Sequence, residues 1–174
     1  MRELLAALGA LLQARGQRYT VVVVGGSSLL LQGLSTRTTQ DVDVVALVER
    51  GLFRKADPLP AGLEEAARDV GVTAGVGGDW LNSMAAIVMN EPGLPQGFAD
   101  RATALDFGAL TVLVASRFDL ICMKLHAAVD RASPSKHLDD LRLLKPSSGE
   151  LVEAGVWARG HDRRLGSDFS WLPI

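Results

Sequence analysis

Four consecutive valines, Val21–Val24, run into Gly25-Gly26-Ser27-Ser28, and Asp41-Val42-Asp43 opens the next apolar run, "VVALV". A short β-branched run stopped by two glycines reads as a buried strand ending in a tight turn. The apolar residues behind the turn read as a short helix from about Ser27 to Gln32, with Gly33 as its stop. Two features of different chemistry therefore end one strand and begin another. Both bear on what the sheet can hold.

The turn comes first. Glycine lacks a Cβ, so backbone N–H groups at Gly25 and Gly26 can come close to a phosphate, and a helix start adds favourable dipole. The hydroxyls of Ser27 and Ser28 are further donors. An ordinary strand-to-helix turn with Ser27 as N-cap explains the same residues. A dinucleotide-binding turn fits less well, because G-x-G-x-x-G is absent.

The aspartates come second. Residues two apart on a strand face the same way, so Asp41 and Asp43 stand side by side. Two adjacent carboxylates repel. A divalent cation removes that conflict, and Mg²⁺ suits one or two carboxylates plus substrate phosphates. Two solvated aspartates at an exposed strand start are the plainer alternative. If the strands are neighbours, turn and carboxylates converge on one end of the sheet. Metal and triphosphate then meet there, as in phosphoryl or nucleotidyl transfer.

The remainder of the chain is consistent with a folded domain. Its 174 residues are 48% hydrophobic and 22% charged, enough to bury a core. A net charge of -2 argues against nucleic-acid binding by overall charge, though not against a local basic groove. A single cysteine, Cys122, permits no internal disulfide and suits a reducing, cytoplasmic setting. Leu4, Leu5, Leu8, Leu11 and Leu12 recur at helical spacing, so the N-terminus reads as an amphipathic helix over Arg2–Ala14 rather than a signal peptide. No apolar run is long enough for a membrane span.

The expected order is that helix, a strand Tyr19–Val24, the short helix, a strand Asp41–Val48 and a helix over "AGLEEAARDVG" ended by Gly71. A strand near Ala85–Met89, a loop around Pro92–Gln96 and a clear strand Leu110–Ser116 follow. The last third reads as helices: Arg117–Arg131, "SKHLDDLRLL", and a final one to about Arg159 opened by a Ser147/Glu150 capping box. The expected fold is α/β (α+β): a short mixed sheet flanked by helices, with residues 1–116 as core and 117–174 as a helical part packed on it.

On the Arg117 helix, Phe118, Ile121, Cys122, Leu125 and Val129 form an apolar stripe, making Cys122 a core thiol. Lys124 and Arg131 share its flank, about 10 Å apart. They suit a triphosphate or an RNA backbone, or are two solvated cations. Lys136 and Asp140 are an i,i+4 pair, with His137 three residues before Asp140. His126 and His161 have no zinc-ligand spacing with Cys122.

Gly26-Ser27, thirteen residues, then Asp41-x-Asp43 resembles the signature of the nucleotidyltransferase superfamily that includes DNA polymerase beta. "RTTQDVD", Arg37–Asp43, is similar to the R-x-T-x-D-hydrophobic-D form of the AbiEii/AbiGii and MenT type toxin nucleotidyltransferases. "DLICMKLHAAVDRASPSKHLDDLRLL", Asp119–Leu144, resembles their later D-L-x-x-x-K-L-x-A…R…K-D-x-x-D-L segment. The resemblance implies transfer of NMP from an NTP to an acceptor hydroxyl, such as the 3′ end of a tRNA, with release of pyrophosphate. It also implies a cognate antitoxin protein as partner. Asp41 and Asp43 would hold one or two Mg²⁺ ions. Asp41, Asp43, Lys124 and Asp140 would be catalytic, and Gly25, Gly26, Ser27, Arg37, Thr38, Arg131 and Lys136 nucleotide-binding. Two departures stand out. His137 takes the place of an aspartate, and polymerase-like members carry a third carboxylate on a later strand. Here that region offers Asn82 and Ser83, with Asp79 and Asp106 as other candidates. A catalytically weak nucleotide-binding or protein-interaction module on the same fold is the alternative these departures raise.

Overall fold

The computed structural model describes residues 1–35, 39, 41–88, 93–129 and 136–161. The chain forms two compact units: Met1–Asn90 with Gly97–Ser116, and Glu91–Gln96 with Arg117–Ile174.

The first unit is a mixed sheet with helices. Its elements are α1 (Arg2–Ala14), β1 (Tyr19–Val24), α2 (Gly25–Leu31), β2 (Val42–Glu49), β3 (Leu52–Lys55), α3 (Ala61–Ala74), β4 (Leu81–Asn82), α4 (Met84–Val88), α5 (Phe98–Arg101), β5 (Thr103–Phe107) and β6 (Leu110–Val114). The strand order is β3-β2-β1-β6-β5, with β4 also on β2. β1 pairs antiparallel with β2 and parallel with β6. This is the α+β arrangement expected.

Leu5, Leu8 and Leu12 of α1 are fully buried, as are Leu63 and Ala66 of α3. They join Val21, Val23, Val42, Val44, Leu110, Val112 and Val114 from the strands in one core cluster. Alternation puts those strand residues on one sheet face, and the helices cover it. Gly9 lets α1 approach β5, because a Cβ there would collide with the Phe107 carbonyl.

Several elements depart from expectation. The apolar run expected as a strand over Ala85–Met89 is helical as α4 over Met84–Val88; the Asn82 side chain caps its start by accepting from the Met84 N–H at 3.0 Å. Helix α3 passes Gly71 and ends at Gly75, whose φ of 71° is left-handed. Gly71 instead makes room for Trp80, whose Cδ1 would stand 2.5 Å from a Cβ there. Strands β3, β4 and β5 and helix α5 carry no signal that periodicity detects; every residue of β3 is exposed.

The second unit holds α6 (Arg117–Val129), α7 (Lys136–Leu144) and α8 (Ser148–His161). Leu120, Ile121, Cys122 and Leu125 of α6 are fully buried. Leu141 and Leu144 of α7 and Ala154 and Ala158 of α8 are buried too. Cys122 is thus a core thiol. The capping box forms: the Ser147 N–H donates to Glu150 at 2.8 Å, and the Glu150 N–H donates back to Ser147 Oγ at 3.3 Å. Arg117 braces the same corner, donating to the Leu144 and Lys145 carbonyls and to the Glu150 carboxylate. These contacts hold the Glu150 carboxyl down at about 2, first through Arg117 and then through the Ser147 N–H.

Candidate functional site

Antiparallel pairing of β1 with β2 sets Val24 opposite Asp43. The glycine turn and the aspartate pair therefore share one sheet end, as their spacing suggested. The contact is close: a Cβ on Gly25 would stand 2.5 Å from Asp43 Oδ2, and Gly25 has a φ of +75°. Both observations require glycine. Gly26 is less constrained, because the nearest Thr39 atom would be 3.6 Å from a Cβ there. Asp41 is exposed just before β2, and Asp43 is half-buried.

The turn differs from the expectation of Ser27 as N-cap. Helix α2 begins at Gly25, with Val24 in the cap position. Ser27 is fully buried, and its hydroxyl donates to the Val24 carbonyl at 3.1 Å. Ser28 is fully buried as well, its hydroxyl 3.5 Å from the Ala115 carbonyl. Gln32 donates to that same carbonyl at 2.8 Å. The serine hydroxyls thus serve the packing of α2, and the first backbone N–H groups of that helix have no intrahelical acceptor.

On the other edge of β2, β4 runs parallel, pairing Val42 with Leu81 and Asp43 with Asn82. Asn82 is therefore the neighbour of Asp43 across the ladder, on the same sheet face. Two anchors hold this short strand. The Val42 N–H donates to the Trp80 carbonyl at 2.5 Å, and the buried Trp80 ring donates from Nε1 to the Ala67 carbonyl at 2.7 Å. Of the other third-carboxylate candidates, Asp106 pairs with Thr111 and accepts from the Gly108 N–H in the β5–β6 turn. Since Thr111 pairs with Thr20, near the start of β1, Asp106 belongs to the far end of the sheet. Asp79 is exposed in the turn before β4.

Asp43, an oxygen donor beside a cradle that a single Cβ would fill, and Asp41 two residues before it are donor types suited to Mg²⁺, whose remaining positions go to water and phosphate oxygens. Among the described residues, no group of three or more His, Cys, Asp or Glu side chains is placed to hold a metal ion. Two carboxylates alone do not make a closed protein cage.

In the second unit, Lys124 and Asp140 are both buried, and Nζ donates to Oδ2 at 2.5 Å. Asp140 thus binds Lys124 across α6 and α7, where the i,i+4 spacing suggested Lys136, which is exposed. Arg142 pairs with Asp139 at 3.0 Å on the exposed side of α7. His126 meets Trp157 edge-on at 5.8 Å between ring centres. Arg37, Thr38 and Arg131 lie outside the described residues, as does Pro92 of the expected loop. Sequence reasoning names Asn82 in the region of a third carboxylate but not its pairing with Asp43, and it misses Arg117 as a brace. The first has no local signal, since a two-residue strand shows no period.

Among the described residues no helix is long and apolar enough to cross a membrane. No curated protein and no solved structure matches the chain. A family model does match, over residues 2–142, and its description is nucleotidyltransferase of unknown function. That span contains the glycine turn, the aspartate pair, Asn82 and both members of the Lys124–Asp140 pair, and the chain belongs to this nucleotidyltransferase family, DUF6036.

Proposed function

We propose that the protein is a Mg²⁺-dependent nucleotidyltransferase that moves NMP from an NTP to an acceptor hydroxyl. The observation that carries this reading is the contact of Gly25 with Asp43 at one sheet end. Backbone N–H groups of Gly25, Gly26 and Ser27 bind the triphosphate, and Asp41 and Asp43 hold Mg²⁺. When bound, the metal supplies positive charge that offsets the negative charge of the phosphates. The acceptor oxygen attacks the α-phosphorus, forming a P–O bond. The bond to the β-phosphate oxygen breaks, pyrophosphate leaves with that electron pair, and the hydroxyl proton passes to water. A role of toxin–antitoxin type belongs to the same proposal on the strength of the toxin-like motifs. The test is transfer of label from α-³²P-NTPs, which Asp41→Ala and Asp43→Ala must each abolish.

Asn82 beside Asp43 favours a second reading, a nucleotide-binding module with weak turnover, because an amide cannot serve as a third carboxylate base. The two readings separate on one pair of assays. The module binds Mg²⁺–NTP and transfers little or no label; the enzyme binds it and transfers label efficiently.

A further inference from the structure

Asp43 lies between two other strands of the sheet. Val24, at the end of β1, is its partner on one side, and Asn82 of β4 is its partner on the other. Neighbouring strands stand roughly 4.8 Å apart, so a side chain at either position is within reach of what Asp43 binds. Neither position holds a carboxylate. Val24 offers carbon alone, and Asn82 offers a half-buried amide.

One contact fixes the chemistry of that amide. The Met84 backbone N–H is a donor, so the Asn82 atom 3.0 Å from it is the amide oxygen, Oδ1. That oxygen is occupied in capping α4. The Nδ2 hydrogens carry partial positive charge and are no ligand for a cation.

Charge then decides how many cations this sheet end holds. Paired-metal sites place two divalent ions roughly 4 Å apart. Ions that close repel, and anionic oxygens around both must offset the repulsion. Nucleotide phosphates supply some of these oxygens, and protein carboxylates must supply the rest. Of the carboxylates on later strands and turns, Asp79 is exposed before β4, and Asp106 belongs to the far end of the sheet. Among the described residues, Asp41 and Asp43 are joined by no third His, Cys, Asp or Glu placed to hold a metal ion with them.

We infer that the site takes a single divalent cation with its nucleotide, and that Asn82 sets this number by presenting an amide where a carboxylate would hold a second ion. This rests on the Mg²⁺-dependent nucleotide binding proposed above and adds its stoichiometry. Asn82→Asp converts the position at little structural cost. The substitution is nearly isosteric, keeps an oxygen to accept from the Met84 N–H, and puts a third carboxylate beside Asp43.

The test counts Mn²⁺, a paramagnetic substitute for Mg²⁺, on the full chain with an excess of the α,β-methylene analogues of ATP, CTP, GTP and UTP in turn. Calorimetry gives the ions bound per chain. Low-temperature EPR separates an isolated Mn²⁺ from an exchange-coupled pair. The native protein should bind one ion and show the isolated-ion spectrum. Asn82→Asp should bind two and show the spectrum of a coupled pair. Two ions on the native protein would overturn the inference, and that result needs no variant to fold. One ion on an Asn82→Asp variant that unfolds thermally like the native protein would overturn the role given to Asn82. The underlying reading fails in a different way: no analogue then binds the native protein with Mn²⁺ at all, and the inference falls with it.

Discussion

Asp43 Oδ2 lies 2.5 Å from where a Cβ on Gly25 would stand, and Gly25 is left-handed at φ +75°. The smallest possible substitution, Gly25→Ala, therefore pushes directly on the carboxylate. The left-handed backbone alone costs about 1–2 kcal/mol for a residue with a Cβ. Thermal unfolding should show that loss. Mg²⁺-dependent NTP affinity should fall by more than roughly ten-fold, because Asp43 must move. Gly26→Ala, where the nearest atom of Thr39 is 3.6 Å away, should fold normally.

The Lys124–Asp140 pair makes a separable prediction. Both groups are buried, so removing one leaves an uncompensated charge in a poorly solvated place. Lys124→Met and Asp140→Asn should each destabilise by about 3–5 kcal/mol. The double substitution Lys124→Met/Asp140→Leu should cost much less than the sum, since it removes both charges. Urea unfolding of the three variants measures this.

Trp80 fixes β4, and hence the register of Asn82 with Asp43, through its hydrogen bond to the Ala67 carbonyl. Trp80→Phe keeps most of the ring and loses the donor, removing the second hydrogen bond to a carbonyl that already accepts within helix α3. A loss of about 0.5–1.5 kcal/mol is expected. Amide exchange at Val42, whose N–H donates to Trp80, should rise with it.

Glu150 gives the pH dependence. Its folded-state carboxyl sits at about 2, below the ordinary value of 4.5. The stability it contributes is therefore fully present above about pH 4.5 and is lost as pH falls towards 2. Glu150→Gln should flatten the acid limb of the stability curve in that window. At neutral pH it should destabilise the second unit by about 1 kcal/mol, the worth of a cap.

How much of the fold is legible in the sequence depends on how local each signal is. Helix α1 and strand β1 match residue for residue, because leucines at helical spacing and an unbroken valine run ending at glycine leave little choice. Two short motifs on successive strands foreshadow the meeting of Gly25 with Asp43. Three strands leave no such trace: β3 and β5 bury little, and β4 spans only Leu81–Asn82. Helix α4 reads as a strand because an apolar run of five shows no period, and only the Asn82 cap decides it. The Asn82–Asp43 neighbourhood is invisible locally, since a long-range parallel pairing creates it. Asp140 likewise bonds sixteen residues back to Lys124, across two helices, and not to the lysine one turn away.

The most direct test of the central claim is calorimetric titration of ATP, CTP, GTP and UTP, with and without Mg²⁺, on the native protein and on Asp41→Ala/Asp43→Ala. The account predicts binding of at least one nucleotide that requires Mg²⁺ and disappears in the double variant while its fold is retained. Nucleotide binding that survives in the double variant, or its absence from the native protein, would contradict it.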